Sequence, residues 1–190
     1  MNAFQNSLPL PRNAITINKS EHGCAQHSRI KGFKMPKEKI AVIDIDKTLS
    51  TQKPQEILAY AIEAYADVAI SFSGSEDVVL IDMAVKIKPD IAIFCLDTGR
   101  LHTETYQFIE RVRKHYSVDI DILFPDQDQV QAFVSQKGFF SFYKDGHQEC
   151  CSIRKVNPLR KKLATLDSWI TGQRKDQSPN TRMHIPVIEQ

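Results

Sequence analysis

Val68-Ala69-Ile70-Ser71-Phe72-Ser73-Gly74-Ser75-Glu76-Asp77 and, further along, Ile91-Ala92-Ile93-Phe94-Cys95-Leu96-Asp97-Thr98-Gly99-Arg100 are apolar runs, each cut short by a small, polar, glycine-bearing loop. Continuous apolar runs of this length suit strands buried on both faces. Helical spacing surrounds them. Pro54 suits a first helical turn, with Ile57, Leu58, Ala61, Ile62 and Tyr65 on one face. Asp77 to Val85 reads as a helix after the first loop, and Phe108, Ile109, Val112 and Tyr116 form one stripe after the second. Ile120 to Phe124 reads as a further strand, and Asp126 with Gln129 resembles a capping box opening a helix that Gly138 closes. Strand and helix in alternation predict an α/β fold, a parallel sheet with flanking helices, because right-handed crossovers place the helices on the sheet faces. Ligands in such folds sit at the carboxyl ends of the strands, where both loops fall.

Composition narrows the classes. The chain has 190 residues, 42% hydrophobic and 25% charged, with a net charge of +2 and four cysteines. That length suits one core, and the charge balance is far from that of a disordered chain. No apolar run approaches the roughly 18 to 20 residues that span a bilayer, so no transmembrane helix is expected. Neither a membrane nor a nucleic acid is expected as a partner. Four cysteines, two of them adjacent at Cys150 and Cys151, do not make a disulfide framework, and a reducing, cytoplasmic location is expected. Residues 1–37 carry Glu21 as their one acid against six basic residues and read as a disordered extension, with 38–190 as the domain. An acid-poor, basic start also weakly resembles an organellar transit peptide.

The loop after Val68 to Phe72 leaves backbone N–H groups free at a helix start, where unsatisfied donors and the helix dipole favour phosphate. Ser71, Ser73 and Ser75 add hydroxyls there. By itself this is equally an ordinary serine-rich turn. Basic residues outnumber acids between Lys144 and Arg182, and Arg174 lies in a loop directly after the apolar Trp169-Ile170. Adjacent cysteines in a reducing compartment suit a metal or iron-sulfur cluster, with Arg154 and Lys155 nearby to stabilise thiolates and attract an anion; the alternative is two unrelated free thiols. Cys95 reads as a core residue and Cys24 as part of the tail.

Together, SFSGSED, LDTGRLHTET, FFSFYKDGHQECCSIRKVNPL and WITGQRKDQSP resemble the assimilatory adenylyl-sulfate reductases, relatives of the phosphoadenylyl-sulfate reductases within the adenine nucleotide α-hydrolase-like fold. The resemblance runs in order from about Pro54 to Glu189. It implies that Ser71, Ser73, Gly74, Ser75 and Asp77 hold the phosphosulfate end of the nucleotide and that Leu96, Asp97, Thr98, Gly99 and Arg100 lie beside it. Arg174, Gln177 and Ser178 would help close the site. Cys150 and Cys151 would supply two ligands of a [4Fe-4S] cluster, with Lys155 between cluster and substrate in a supporting role. The cysteine pair favours adenylyl sulfate over phosphoadenylyl sulfate, since cluster-free relatives lack it.

The implied activity is thiol-dependent reduction of adenylyl sulfate to sulfite and AMP in sulfate assimilation and cysteine biosynthesis. A cysteine thiolate attacks sulfur, AMP leaves, and thioredoxin or a glutaredoxin-like thiol donor cleaves the S-sulfonated enzyme. A homo-oligomer is expected. In that family the nucleophile lies in a Glu-Cys-Gly-Leu-His segment, with the remaining cluster ligands in a Cys-x-x-Cys before it. Both are expected beyond Gln190, so this chain reads as the nucleotide-binding part, without its own attacking cysteine. Two alternatives stay within the family: a phosphoadenylyl-sulfate reductase, or a non-catalytic nucleotide-binding remnant. A remote one comes from Ile40-Ala41-Val42-Ile43-Asp44-Ile45-Asp46-Lys47-Thr48-Leu49, which resembles the strand-borne Asp-x-Asp-x-Thr motif of haloacid-dehalogenase-like phosphatases. The competing reading has Asp44 and Asp46 on an element that merely packs against the domain.

Overall fold

A computed structural model describes residues 16–19, 42–173 and 185–189. Among them a six-stranded sheet has the order β4-β3-β2-β5-β1-β6. Its centre is β2 (Val68–Ser71), flanked by β3 (Ala92–Leu96) and β5 (Ser168–Thr171), with β4 (Asp121–Leu123) beyond β3. All four run parallel. Each apolar run therefore forms the buried strand its pattern predicts. Ile70, Phe94 and Ile170 are fully buried at its middle.

Two findings differ from the sequence reading. The sheet is mixed, because β1 (Thr16–Lys19) joins β5 antiparallel, pairing Ile17 with Ile170. These four residues lie inside the stretch read as a disordered extension, and Ile17 is fully buried. Ile15 and Ile17 in an otherwise polar stretch are too short a pattern to announce a strand, and pairing with β5 supplies what the local sequence lacks. The second difference concerns the Asp-x-Asp-x-Thr motif. It sits on a helix, α1 (Val42–Leu49), so the strand terminus a dehalogenase-like phosphatase needs is absent there. β-branched residues make the segment look like a strand. Packing decides otherwise: Leu49 is buried and Val42 and Ile45 pack beside it on the same face. Asp46, one position along, accepts hydrogen bonds from the backbone N–H of Val187 at 2.6 Å and Ile188 at 3.2 Å. It thereby anchors β6 (Ile188–Glu189) beside β1.

The helices follow the predicted spacing. α2 (Pro54–Ala64) buries Ile57, Leu58 and Ala61, and the Glu56 carboxylate accepts from the Lys53 N–H at its start. A 3-10 turn (Ser75–Asp77) leads into α3 (Val78–Ile87). α4 (Thr103–Tyr116) buries Ile109 and Val112. α5 (Gln127–Lys137) is capped by Asp126, which accepts from the Gln129 N–H at 3.0 Å, while the Gln129 side chain accepts from Asn157 instead of closing the box. Gly138 ends that helix at φ +77°. Next come α6 (Gln148–Cys151), a π-helical turn (Ser152–Val156) and α7 (Asn157–Leu163). Among the described residues no helix is long and apolar enough to cross a membrane.

Asp46→Ala leaves two backbone donors without their acceptor, an expected loss of about 1–3 kcal/mol in urea denaturation. Asp46→Asn keeps a carbonyl acceptor and should lose less. Equal stability of Asp46→Ala and the unsubstituted chain would show that the contact holds nothing in place.

Candidate nucleotide-binding site

The order β3-β2-β5 sets the carboxyl ends of three parallel strands side by side, and their loops form the candidate site. Between the loop after β2 and the end of β5 lies a pocket of about 440 Å³, lined by Ser71, Ser73 to Asp77, and Thr171 to Gln173. Among the described residues its lining offers hydroxyls and backbone N–H groups to an anion, the donors that a strand-to-helix turn leaves over.

Asp77 shapes this pocket from within. Only 6% exposed, it accepts through Oδ2 from both the backbone N–H and the hydroxyl of Ser73, each at 2.7 Å. This oxygen is committed to Ser73, so Asp77 folds the loop on which the serines stand. Its Oδ1 lies against Gly172, where any Cβ would collide with it. Gly172 thus lets the end of β5 close onto the serine loop. Composition and loop spacing gave no sign of that closeness, since it depends on β2 and β5 being neighbours. Ser73 and Ser75 are exposed, as a ligand-facing role requires.

The second loop is organised by Asp97, 4% exposed, whose Oδ1 accepts from the Gly99 N–H at 2.7 Å and whose Oδ2 accepts from the Tyr106 hydroxyl at 2.8 Å. The bond to Asp97 pushes the Tyr106 hydroxyl pKa up. Gly99 takes φ +70°, the turn conformation that glycine adopts at least cost. Arg100 turns away along the aromatic segment: it donates to the Phe139 carbonyl and lies 4.5 Å over the Phe142 ring. Phe139, Phe140 and Tyr143 beside it are exposed.

Cys150 and Cys151 both lie on α6, with Cys150 buried and Cys151 half-buried, and both are free thiols. The sequence placed Arg154 and Lys155 together beside them. The structure separates the two: Lys155 is exposed, whereas Arg154 is 6% exposed and donates through Nη1 to the Thr98 carbonyl at 2.8 Å. Arg154 thus joins the cysteine-bearing helical segment to the loop after β3. As a donor set, two thiols are half of what a Cys₄ cluster takes, and among the described residues no group of three or more His, Cys, Asp or Glu side chains gathers where a metal ion would sit. Cys95 is a core thiol, as expected, pushed up to about 11 by burial and then by Asp97 and Asp77. Arg174, Gln177 and Ser178 lie outside the described residues.

The model of the phosphoadenosine phosphosulfate reductase domain matches residues 67–190. Adenosine 5'-phosphosulfate reductase of Pseudomonas aeruginosa is 54% identical over 143 residues, which are 75% of this chain and 54% of that protein. The chloroplastic 5'-adenylylsulfate reductase 1 of Arabidopsis thaliana is 52% identical over 159 residues, 80% of this chain and 34% of that one. The chain spans about half the length of the bacterial relative and about a third of the plant one. Among solved structures, phosphoadenylyl-sulfate reductase from Candida auris superposes with a TM-score of 0.60 at 23% identity, covering 76% of this chain and 72% of that one. The shared fold is the adenine nucleotide α-hydrolase-like one.

Gly172→Ala drives a methyl group into Asp77 and is expected to lose about 1–3 kcal/mol in urea denaturation. Gly74→Ala, with nothing within 4 Å of its new methyl group, should lose far less. Matching losses at the two positions would refute the close approach. For Cys95, a thiol pKa of about 11 keeps it neutral and unlabelled by iodoacetamide in the native chain at pH 8, read by peptide mass spectrometry. The same raised pKa contributes stability that is complete below the ordinary thiol value and is lost as pH climbs through about 11.

Proposed function

This chain belongs to the phosphoadenosine phosphosulfate reductase domain family, and on that premise we propose that it is the nucleotide-binding part of an adenylyl-sulfate reductase that makes sulfite and AMP for sulfate assimilation. The observation that carries the reading is the pocket between the serine loop and the end of β5, built from hydroxyls and backbone donors and held in shape by Asp77. The serine loop takes the phosphosulfate end. The loop from Leu96 to Arg100 flanks the nucleotide, and Arg174, Gln177 and Ser178 close over it. The names of the curated relatives and the adjacent cysteines both support adenylyl sulfate over its 3'-phosphorylated form.

In the reaction a thiolate attacks the sulfur of the bound substrate, the bond from sulfur to the phosphate oxygen breaks, and AMP departs with that electron pair. A dithiol donor of the thioredoxin or glutaredoxin type then attacks the sulfonated cysteine sulfur, sulfite leaves, and the donor ends as a disulfide. Cys95 is unsuited to the first attack, being buried and neutral at physiological pH. The chain's own part is to bind and orient the nucleotide and to meet charge on the departing phosphate with the serine-loop donors. Cys150 and Cys151 are proposed as two of the four ligands of a [4Fe-4S] cluster, which when bound contributes electrostatic stabilisation near the phosphosulfate end. Lys155, exposed one residue beyond Arg154, is the supporting cation. A cytoplasmic homo-oligomer completes the proposal.

Calorimetry tests the binding reading: AMP is expected to bind the 190-residue chain, with adenosine 3',5'-bisphosphate binding no tighter. Absence of AMP binding would overturn the proposal, and a clear preference for the bisphosphate would move it to phosphoadenylyl sulfate. Arg174→Ala should weaken AMP binding about tenfold, the worth of one charge-assisted hydrogen bond. For the cluster, Cys150→Ser and Cys151→Ser should each lower iron and acid-labile sulfide in protein purified without oxygen. Iron content indifferent to both substitutions would remove the cluster from the proposal.

A further inference from the structure

Arg154 is a buried cation that the fold does little to compensate. It is 6% exposed, and its one hydrogen bond among the described residues is from Nη1 to the neutral carbonyl of Thr98. Among the described residues its Nε is buried without a partner and it enters no ion pair. Burying a guanidinium on such terms is costly, because hydration is lost and neither an opposite charge nor a full set of acceptors replaces it. Exchanging an uncompensated buried charge for an apolar side chain of similar size tends to leave a fold as stable or more so. A requirement other than stability therefore accounts for arginine here.

Its position supplies that requirement. Arg154 arises from the π-helical turn Ser152–Val156, directly after Cys150 and Cys151. π-helical turns are rare and recur at functional sites, since the extra residue re-aims the side chains that follow it. The side chain reaches across to the loop after β3, where Nη1 bonds to Thr98 and lies 3.1 Å from where a Cβ on Gly99 would be. One planar group thus contacts the backbone at Thr98 and Gly99, while Asp97 holds the Gly99 N–H.

We propose that Arg154 is a positioning residue for nucleotide binding: it clamps the Thr98–Gly99 backbone onto the segment bearing the cysteine pair, and its buried charge is compensated when an anionic nucleotide occupies the adjoining site. This rests on the nucleotide-binding reading above, and it assigns to binding a residue that points to a backbone carbonyl instead of into the pocket.

The test uses the 190-residue chain with AMP as probe, comparing Arg154→Met, Arg154→Lys and the unsubstituted protein by calorimetry and by thermal unfolding without ligand. Arg154→Met is expected to unfold at the same or a higher temperature and yet to bind AMP about tenfold more weakly, the worth of a lost hydrogen bond to a charged group. Arg154→Lys, which keeps the charge and loses the planar fork, should bind with intermediate affinity. A merely structural arginine would lower the unfolding temperature of Arg154→Met, and that result with unchanged AMP affinity overturns the proposal. Should Arg154→Met fail to fold, Arg154→Lys decides: wild-type affinity in it is equally fatal. If AMP does not bind the unsubstituted chain, the functional reading fails first and takes this one with it. AMP binding that is indifferent to residue 154 sinks this inference alone.

Discussion

The carboxylate of Asp77 is the point on which both walls of the pocket converge. One oxygen holds the backbone and hydroxyl of Ser73, and the other sits against Gly172 at the end of β5. A buried carboxylate is tolerated because donors surround it, and those donors belong to the loop it shapes. The serine loop and the β5 terminus are consequently one unit, though almost a hundred residues of chain separate them. The parallel β2/β5 pairing, with Ala69 opposite Trp169 and Ile70 opposite Ile170, brings the two ends level. The core makes that pairing firm, since both isoleucines are fully buried. Loss of register there would displace the pocket along with the packing.

How much of this could be read from the chain follows from the range of each force. The central strands and the helices between them are carried by local apolar period, and the sequence reading placed them to within a few residues. Pro54, Asp126 and Gly138 marked boundaries because their backbone preferences act at the position itself. The antiparallel β1 was illegible, as the burial of Ile17 is identified only by the sheet edge it meets. α1 misled for the opposite reason. Its β-branched residues speak for a strand, and the packing of Leu49 together with the bonds from Val187 and Ile188 to Asp46 outweighs them.

The site shows the same division. Loop membership was legible, and the direction in which each side chain points was not. Asp77 and Asp97 look like ligand-facing acids in sequence, and both are buried acceptors of their own loops' donors. Arg100 looks like an anion-binding cation and spends its guanidinium on the Phe139 carbonyl and the Phe142 ring. For the two aspartates the signal available was a short acid two residues from a serine or glycine, Ser75 and Gly99, the composition of turns that bond to themselves.

The distribution of charge then constrains how an anion is held. Among the described residues the lining of the pocket between β2 and β5 carries no cation, and Asp77 lies at its inner surface. A phosphate placed there is favoured only where N–H and hydroxyl groups outnumber carboxylate oxygens, which is the outer rim formed by Ser73 to Ser75. Among the described residues, the segment after the cysteines carries two cations: Arg154, buried and bonded to the Thr98 carbonyl of the loop after β3, and Lys155, exposed. The Asp97 carboxylate, through the Gly99 N–H, and the Arg154 guanidinium, through the Thr98 carbonyl, both hold the loop after β3, so its backbone is tied to the strand end and to the cysteine-bearing segment at once.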